Sequence, residues 1–154
     1  MSAALHIRPA QPSDAPGLAV LLHGVGWFAR FEHGTNEAHA ARLAPLLEPS
    51  TQRLQLVACD AQHQVQAYCA VHWLPLAILQ GWEGYVSELF IADSARGTGV
   101  GSQLLDHAVA AARAQGCSRI WLINNRDREA YQRGFYAKQG WTEQAQAARF
   151  VLDL

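Results

Sequence analysis

Two features of this 154-residue chain carry chemistry. The first is Phe90-Ile-Ala-Asp-Ser-Ala-Arg96-Gly97-Thr98-Gly99-Val100-Gly101-Ser102-Gln-Leu-Leu105, where an apolar run passes into three alternating glycines and then into an amphipathic pattern. Glycines at such a junction permit unusual backbone angles and close approach. Successive N–H groups can then converge on an anion at the positive end of the following helix. A phosphate or pyrophosphate is the expected ligand; without one, the segment is simply a tight turn. The second feature is Glu88, the only charged residue between Glu83 and Asp93, in the run Tyr85-Val-Ser-Glu-Leu-Phe-Ile91. Desolvation among such neighbours raises a carboxyl pKa toward the working range of a general base. The alternative for a charged residue is a solvent-facing position or an arginine partner.

Other chemistries fit poorly. Gly97-x-Gly99-x-Gly101 lacks the third glycine at dinucleotide spacing, and too little chain surrounds it for a Rossmann sheet. There is no GxxxxGK[ST], and the single lysine, Lys138, lies far downstream. The seven histidines form no HExxH or comparable ligand set, so no metal is expected. No GxSxG elbow supports Ser/His/Asp catalysis. Cys59, Cys69 and Cys117 are odd in number, lie in apolar stretches and show no CxxC spacing, which fits reduced core residues.

The elements that must position these groups follow from periodicity. Residues 5–8 alternate like a strand, and Pro12-Ser13-Asp14 supplies a turn and cap for a helix through Leu18, Leu21 and Leu22, ending near Gly24 or Gly26. An aromatic loop, Trp27-Phe28-Ala-Arg-Phe31-Glu32, either folds onto the core or lines a binding surface. Residues 37–48 read as a helix shortened or kinked by Pro45. The runs 53–60 and 65–74 form a hairpin, 84–91 a further strand, and Val100 to Gly116 a helix with Gly101, Leu104, Leu105, Ala108 and Ala112 on one face. A strand over 119–125, a helix over 128–139 closed by Gly140, and a final strand over 149–154 complete the order, with one more strand considered at 141–144.

With only 16% charged residues, against ~25% typically, and a net charge of -1, the chain suits one compact domain, 1–154. The arginines are dispersed, so neither nucleic acid nor anionic lipid is an expected partner. Residues 1–8 reach charge and then Pro9 before a secretory apolar region could form, and no run approaches the ~20 residues of a membrane span. A cytoplasmic location is expected.

Arg96-Gly-Thr-Gly-Val-Gly101, preceded by Glu88-Leu-Phe-Ile91 and followed by Leu104-Leu105, resembles the [RQ]xxGx[GA] motif of the GNAT superfamily of acetyl-CoA-dependent N-acetyltransferases. Gly134-Phe-Tyr-Ala-Lys-Gln-Gly-Trp141 is similar to that family's Phe-Tyr-x-Lys-x-Gly-Phe segment, and the element order fits essentially the whole chain. The resemblance implies an α/β (α+β) domain: a mixed, mostly antiparallel sheet with helices on both faces, and parallel strands at 84–91 and 119–125 that splay to admit acetyl-CoA. It implies that the N–H groups of Gly97, Thr98, Gly99, Val100, Gly101 and Ser102 hold the pyrophosphate, with Arg96 beside it. Backbone atoms of Leu89, Phe90 and Ile91 would pair with the pantetheine arm. Asn125 either bonds the same arm or caps the next helix.

The implied reaction is acetyl transfer to a primary amine, of a small molecule in the first instance. Glu88 is then the base and Tyr136 the acid that protonates the departing thiolate, with Tyr131 a rival acid. A backbone N–H near Leu89 would meet the thioester oxyanion. Some members carry Glu-Asp where this chain has Ser87-Glu88, and one step of register moves a side chain to the opposite face of a strand. Which of Ser87 and Glu88 faces the cleft is therefore open at this level. The acceptor would lie against Trp27, Phe28 and Glu32, with Phe31, Trp73 and Trp82 as neighbours, where aromatic faces and a carboxylate suit a small cation. Protein lysines or N-termini are alternative acceptors. A non-catalytic acyl-CoA sensor and a scaffold that binds neither ligand are the alternative functions, and a homodimer is the expected assembly.

Overall fold

The computed structural model describes residues 4–154. The first three residues of the segment weighed above as a leader lie outside this range. The chain forms two compact units, one running to Leu122 and the other from Ile123 to Leu154.

The first unit is a five-stranded sheet in the order β1-β2-β3-β4-β5, with β1 (His6–Pro9), β2 (Arg53–Cys59), β3 (Val65–Leu76), β4 (Gly81–Ile91) and β5 (Cys117–Leu122). The first three pairings are antiparallel and β4/β5 is parallel. The Asp60-Ala-Gln-His63 turn joins β2 to β3, its backbone pinned by the Asp60 carboxylate, which accepts from the Gln62 and Gln64 N–H groups at 3.0 and 2.9 Å.

Strand alternation divides the core in two. Val57, Cys59, Tyr68 and Ala70 face Leu18, Leu21 and Leu22 of α1 (Ala15–Val25) and Ala40 of α2 (Asn36–Leu43). The alternate residues Leu56, Ala58, Ala67, Cys69 and Val71 are also buried. They face the other side, where α3 (Val100–Ala114) packs on the sheet through Leu104, Leu105, Ala108 and Ala112. Gly26 closes α1 in the left-handed conformation. Pro45 ends α2 early, and the expected helix over 37–48 finishes as a tight 3-10 turn at Ala44–Leu47. Asp14 does not cap α1: its carboxylate binds back to β1, accepting from both Arg8 terminal nitrogens at 2.8 and 2.7 Å and from the Gln11 N–H.

The second unit departs most from expectation. The helix over 128–139 is broken into α4 (Glu129–Gln132) and a 3-10 turn at Ala137–Gln139, because Gly134 sits between them at φ +67°. The strands at 141–144 and 149–154 do not form. Phe150, Val151, Leu152 and Leu154 are exposed, and an alternating pattern becomes a strand only where a neighbour satisfies its backbone. The strand over 119–125 ends at Leu122, three residues short of Asn125.

Candidate active site

The glycine segment adopts a cradle geometry. After β4 a single 3-10 turn (Asp93–Ala95) leads to Gly97 at φ +74° and Gly99 at φ +85°, the latter being the N-cap residue just before α3. A side chain at either position would be strained, and no side chain caps the helix. Among the described residues no backbone partner outside the regular elements is found for the N–H groups of residues 97–102, as expected for a first helical turn, and a Cβ at Gly97 would meet nothing within 4 Å. Thr98 turns its hydroxyl inward to the Ala95 carbonyl, 2.7 Å, tying the loop shut, and Arg96 pairs with Asp93 at 3.2 Å on the surface. The residues present thus fit a diphosphate: adjacent donors, a helix dipole and one guanidinium.

β4 leads into this loop and leaves its partner before reaching it. Val86 opposite Leu122 is the last β4/β5 pair, so among the described residues of the first unit no strand pairs with β4 on its β5 side from Ser87 to Ile91. Leu89, Phe90 and Ile91 lie on that open edge.

A bulge resolves which side chain faces inward. Val71 pairs with Val86 and Ala70 with Glu88, leaving Ser87 as the extra residue. In a regular strand Glu83, Tyr85 and Ser87 would share one face and Glu88 the other. The bulge restores the period one residue late, so Glu88 and Phe90 continue the face that Tyr85 began. Ser87 stays on it as well, with its Oγ 3.0 Å from His72 Nε2.

Glu88 stands at the junction of two hollows. One, about 330 Å³, is lined by Leu22, Trp27, Phe28, Ala29, Arg30, Phe31, Glu88 and Phe90. Its wall is an edge-to-face aromatic set, with Phe28 and Trp27 at 5.2 and 6.3 Å from Phe90 and Phe31 at 6.4 Å from Phe28. The aromatic loop therefore folds onto β4 and lines a cleft at once. Glu32 is exposed and outside this lining. Trp73 and Trp82 sit opposite Gly84 and Pro75, in the alternation that points away from Glu88, and Trp73 is buried in the core. They are not neighbours of the cleft.

The second hollow, about 190 Å³, has a polar floor of Arg53, Gln55, Tyr68, His72 and Glu88 beneath Leu18, Leu43, Leu46 and Leu47. Burial pushes the Glu88 carboxyl up from its ordinary value, and the Tyr68 hydroxyl draws it partly back. Burial also lowers the His72 pKa, helped by Arg53, and so favours a neutral ring. The floor residues other than Glu88 escaped sequence reasoning. The available signal was Gln55 and His72, polar residues at inward positions of otherwise apolar strands.

In the second unit, Tyr136 is half-buried, with ring contacts to Phe135 at 5.0 Å and Trp141 at 6.3 Å. The rival Tyr131 donates to Glu143 at 2.9 Å, and Glu143 also holds Arg126 at 2.6 Å. Asn125 caps neither a strand nor α4. Its side-chain oxygen accepts from the Asp127 N–H at 3.2 Å, making a turn before Arg128, the residue that begins α4.

A bulged strand, an edge beyond it that pairs with no strand of the first unit's described residues and a glycine cradle at its end thus follow one another along the chain. The chain belongs to the acetyltransferase (GNAT) family, whose model matches residues 25–141. It is similar in fold to a transcriptional regulator from Bacillus halodurans C-125, at 21% identity and a TM-score of 0.79, covering 96% of this chain and 99% of that one. It is also similar to an aminoglycoside acetyltransferase from an uncultured soil metagenomic sample, solved with sisomicin (18% identity, TM-score 0.77, 97% and 96% covered). A third likeness is glucosamine-6-phosphate N-acetyltransferase from Arabidopsis thaliana (18%, 0.74, 97% and 99%). No curated protein matches the chain. The GNAT domain makes this an acyltransferase, of a family that uses acetyl-CoA as cosubstrate.

Proposed function

We propose that the protein transfers an acetyl group from acetyl-CoA to the primary amine of a small molecule, with Glu88 as base and Tyr136 as acid. The observation that carries this reading is Glu88 itself: a desolvated carboxyl at the floor of an aromatic cleft, on the strand that ends in the glycine cradle.

The N–H groups of residues 97–102 and Arg96 would hold the diphosphate, and the open edge at Leu89, Phe90 and Ile91 would pair with the pantetheine amides. Asn125 is a further candidate for that arm. An alkylammonium has a pKa near ~10, so the amine must lose a proton before or during attack. Glu88 accepts it. The amine nitrogen bonds to the thioester carbonyl carbon, an N–H near Leu89 meets the oxyanion, the C–S bond breaks, and Tyr136 protonates the sulfur. Trp27 and Phe28 would receive the acceptor as a cation through their ring faces, with Glu32 at the approach. Three free cysteines support a reducing, cytoplasmic setting.

The test is release of free thiol from acetyl-CoA against a chemically broad amine panel, paired with a thermal shift by CoA alone. Amine-dependent thiol release is the expected result. A CoA-induced thermal shift without release for any amine would favour a sensor, and neither response would remove the reading.

A further inference from the structure

The second hollow holds a hydrogen-bond chain whose direction can be read link by link. Arg53 Nη2 donates to the Leu46 carbonyl at 2.8 Å, which anchors the guanidinium. Arg53 Nε donates to Gln55 Oε1 at 3.2 Å. A guanidinium only donates, so this contact fixes which end of the Gln55 amide is oxygen. The amide nitrogen therefore faces Tyr68, and Gln55 Nε2 donates to Tyr68 Oη at 2.9 Å. With its oxygen accepting from Gln55, the tyrosine has its own O–H left to give, and Glu88 lines the same hollow on the same sheet face.

Strand register explains why these residues meet. Gln55, Ala70 and Glu88 lie in one row across β2, β3 and β4. Ala70 leaves a gap in the middle of that row. Tyr68, two residues along on the same face, has its hydroxyl on Gln55 and so spans the gap toward Glu88. The bulge at Ser87 is required for this, since without it Glu88 would point to the other face.

We propose that Arg53, Gln55 and Tyr68 are positioning residues: a polarised chain that presents the Tyr68 O–H to Glu88 and aims its carboxylate at the acceptor cleft. This rests on Glu88 being the base. The chain supplies a neutral donor where a cation would have been the obvious partner. A guanidinium in contact would lower the carboxyl pKa and make it a poor base, whereas a hydroxyl fixes its orientation and leaves it able to take a proton. The other titratable or charged groups lining the hollows with Glu88 are His72 from β3, Arg53 from β2 and Arg30 from the aromatic loop; α1 and α2 present leucines there.

The test follows the Glu88 side-chain carboxyl by carbon-13 NMR titration, assigned by its loss in Glu88→Gln, alongside the pH dependence of kcat/KM. Tyr68→Phe removes one O–H and keeps the ring. It is expected to move the Glu88 midpoint upward by about one pH unit, with the acid limb of kcat/KM following. Gln55→Glu is expected to move it the same way, because a carboxylate at that position draws the tyrosine proton off Glu88; this variant stands in if Tyr68→Phe does not fold. A midpoint unchanged in both folded variants overturns the chain. A midpoint that moves while the kcat/KM limb stays put would overturn Glu88 as the base and leave the chain standing, so the two failures are distinguishable.

Discussion

Glu83 and Glu88 lie five residues apart on one strand and share a sheet face, yet their surroundings are opposite in kind. The Glu83 carboxylate is fully committed: Arg119 Nε donates to one oxygen at 2.6 Å and Trp121 Nε1 to the other at 2.8 Å. Both donors come from β5, where β4 and β5 are still paired, and Trp121 is itself stacked on Tyr85 at 4.3 Å. Glu88 lies past the last β4/β5 pair, beyond the bulge. Among the described residues it makes no ion pair, and it shares a hollow with the Tyr68 hydroxyl. The lesson is that pairing decides function. A buried carboxylate with two strong donors is a rivet, and one that is desolvated and held by a neutral group is a proton acceptor in waiting.

The comparison breaks most visibly by substitution. Glu88→Gln is expected to lower kcat for amine acetylation by about 10²–10⁴-fold with CoA affinity kept, as thiol release and calorimetric titration will show. Gly99→Glu places a side chain at φ +85° and a negative charge in the anion cradle, and CoA should no longer shift its thermal transition. Glu83→Gln should do the reverse of Glu88→Gln. It is expected to cost about 1–3 kcal/mol of stability in denaturant titration, at the lower end because Arg119 is 55% exposed, and to leave the acid limb of kcat/KM where it was. The smallest effect concerns stability and pH. Because burial raises the Glu88 pKa in the folded chain, folding binds its proton more tightly. Its contribution is thus most favourable below the unfolded pKa and is lost as pH rises through the folded one. Glu88→Gln should flatten that part of the stability profile, measured as urea midpoints.

Most of the first unit was legible because its signals are local. The apolar runs over 53–60 and 65–74, which form β2 and β3, the apolar face of α3 and a glycine stop at Gly24 or Gly26 each need only a few neighbouring residues to be read. The glycine cradle was legible for the same reason. What escaped depends on partners far along the chain. The Ser87 bulge exists only in the pairing of β3 with β4, so no inspection of 84–91 alone could decide between Ser87 and Glu88. The Gln55–Tyr68 contact joins two strands diagonally, Gln55 lying opposite Ala70 and Tyr68 opposite Val57. In the second unit, periodicity over 128–139 concealed the left-handed turn at Gly134, and the alternation in 149–154 found no strand to pair with.

The central claim is that the Glu88 carboxylate receives the amine proton, and the pH profile of kcat/KM in the native protein and Glu88→Gln tests it most directly. The account predicts that the native rate falls on the acid side with a midpoint above the ordinary glutamate value of 4.5, and that this limb vanishes in the variant. An identical acid limb in the two proteins would contradict it.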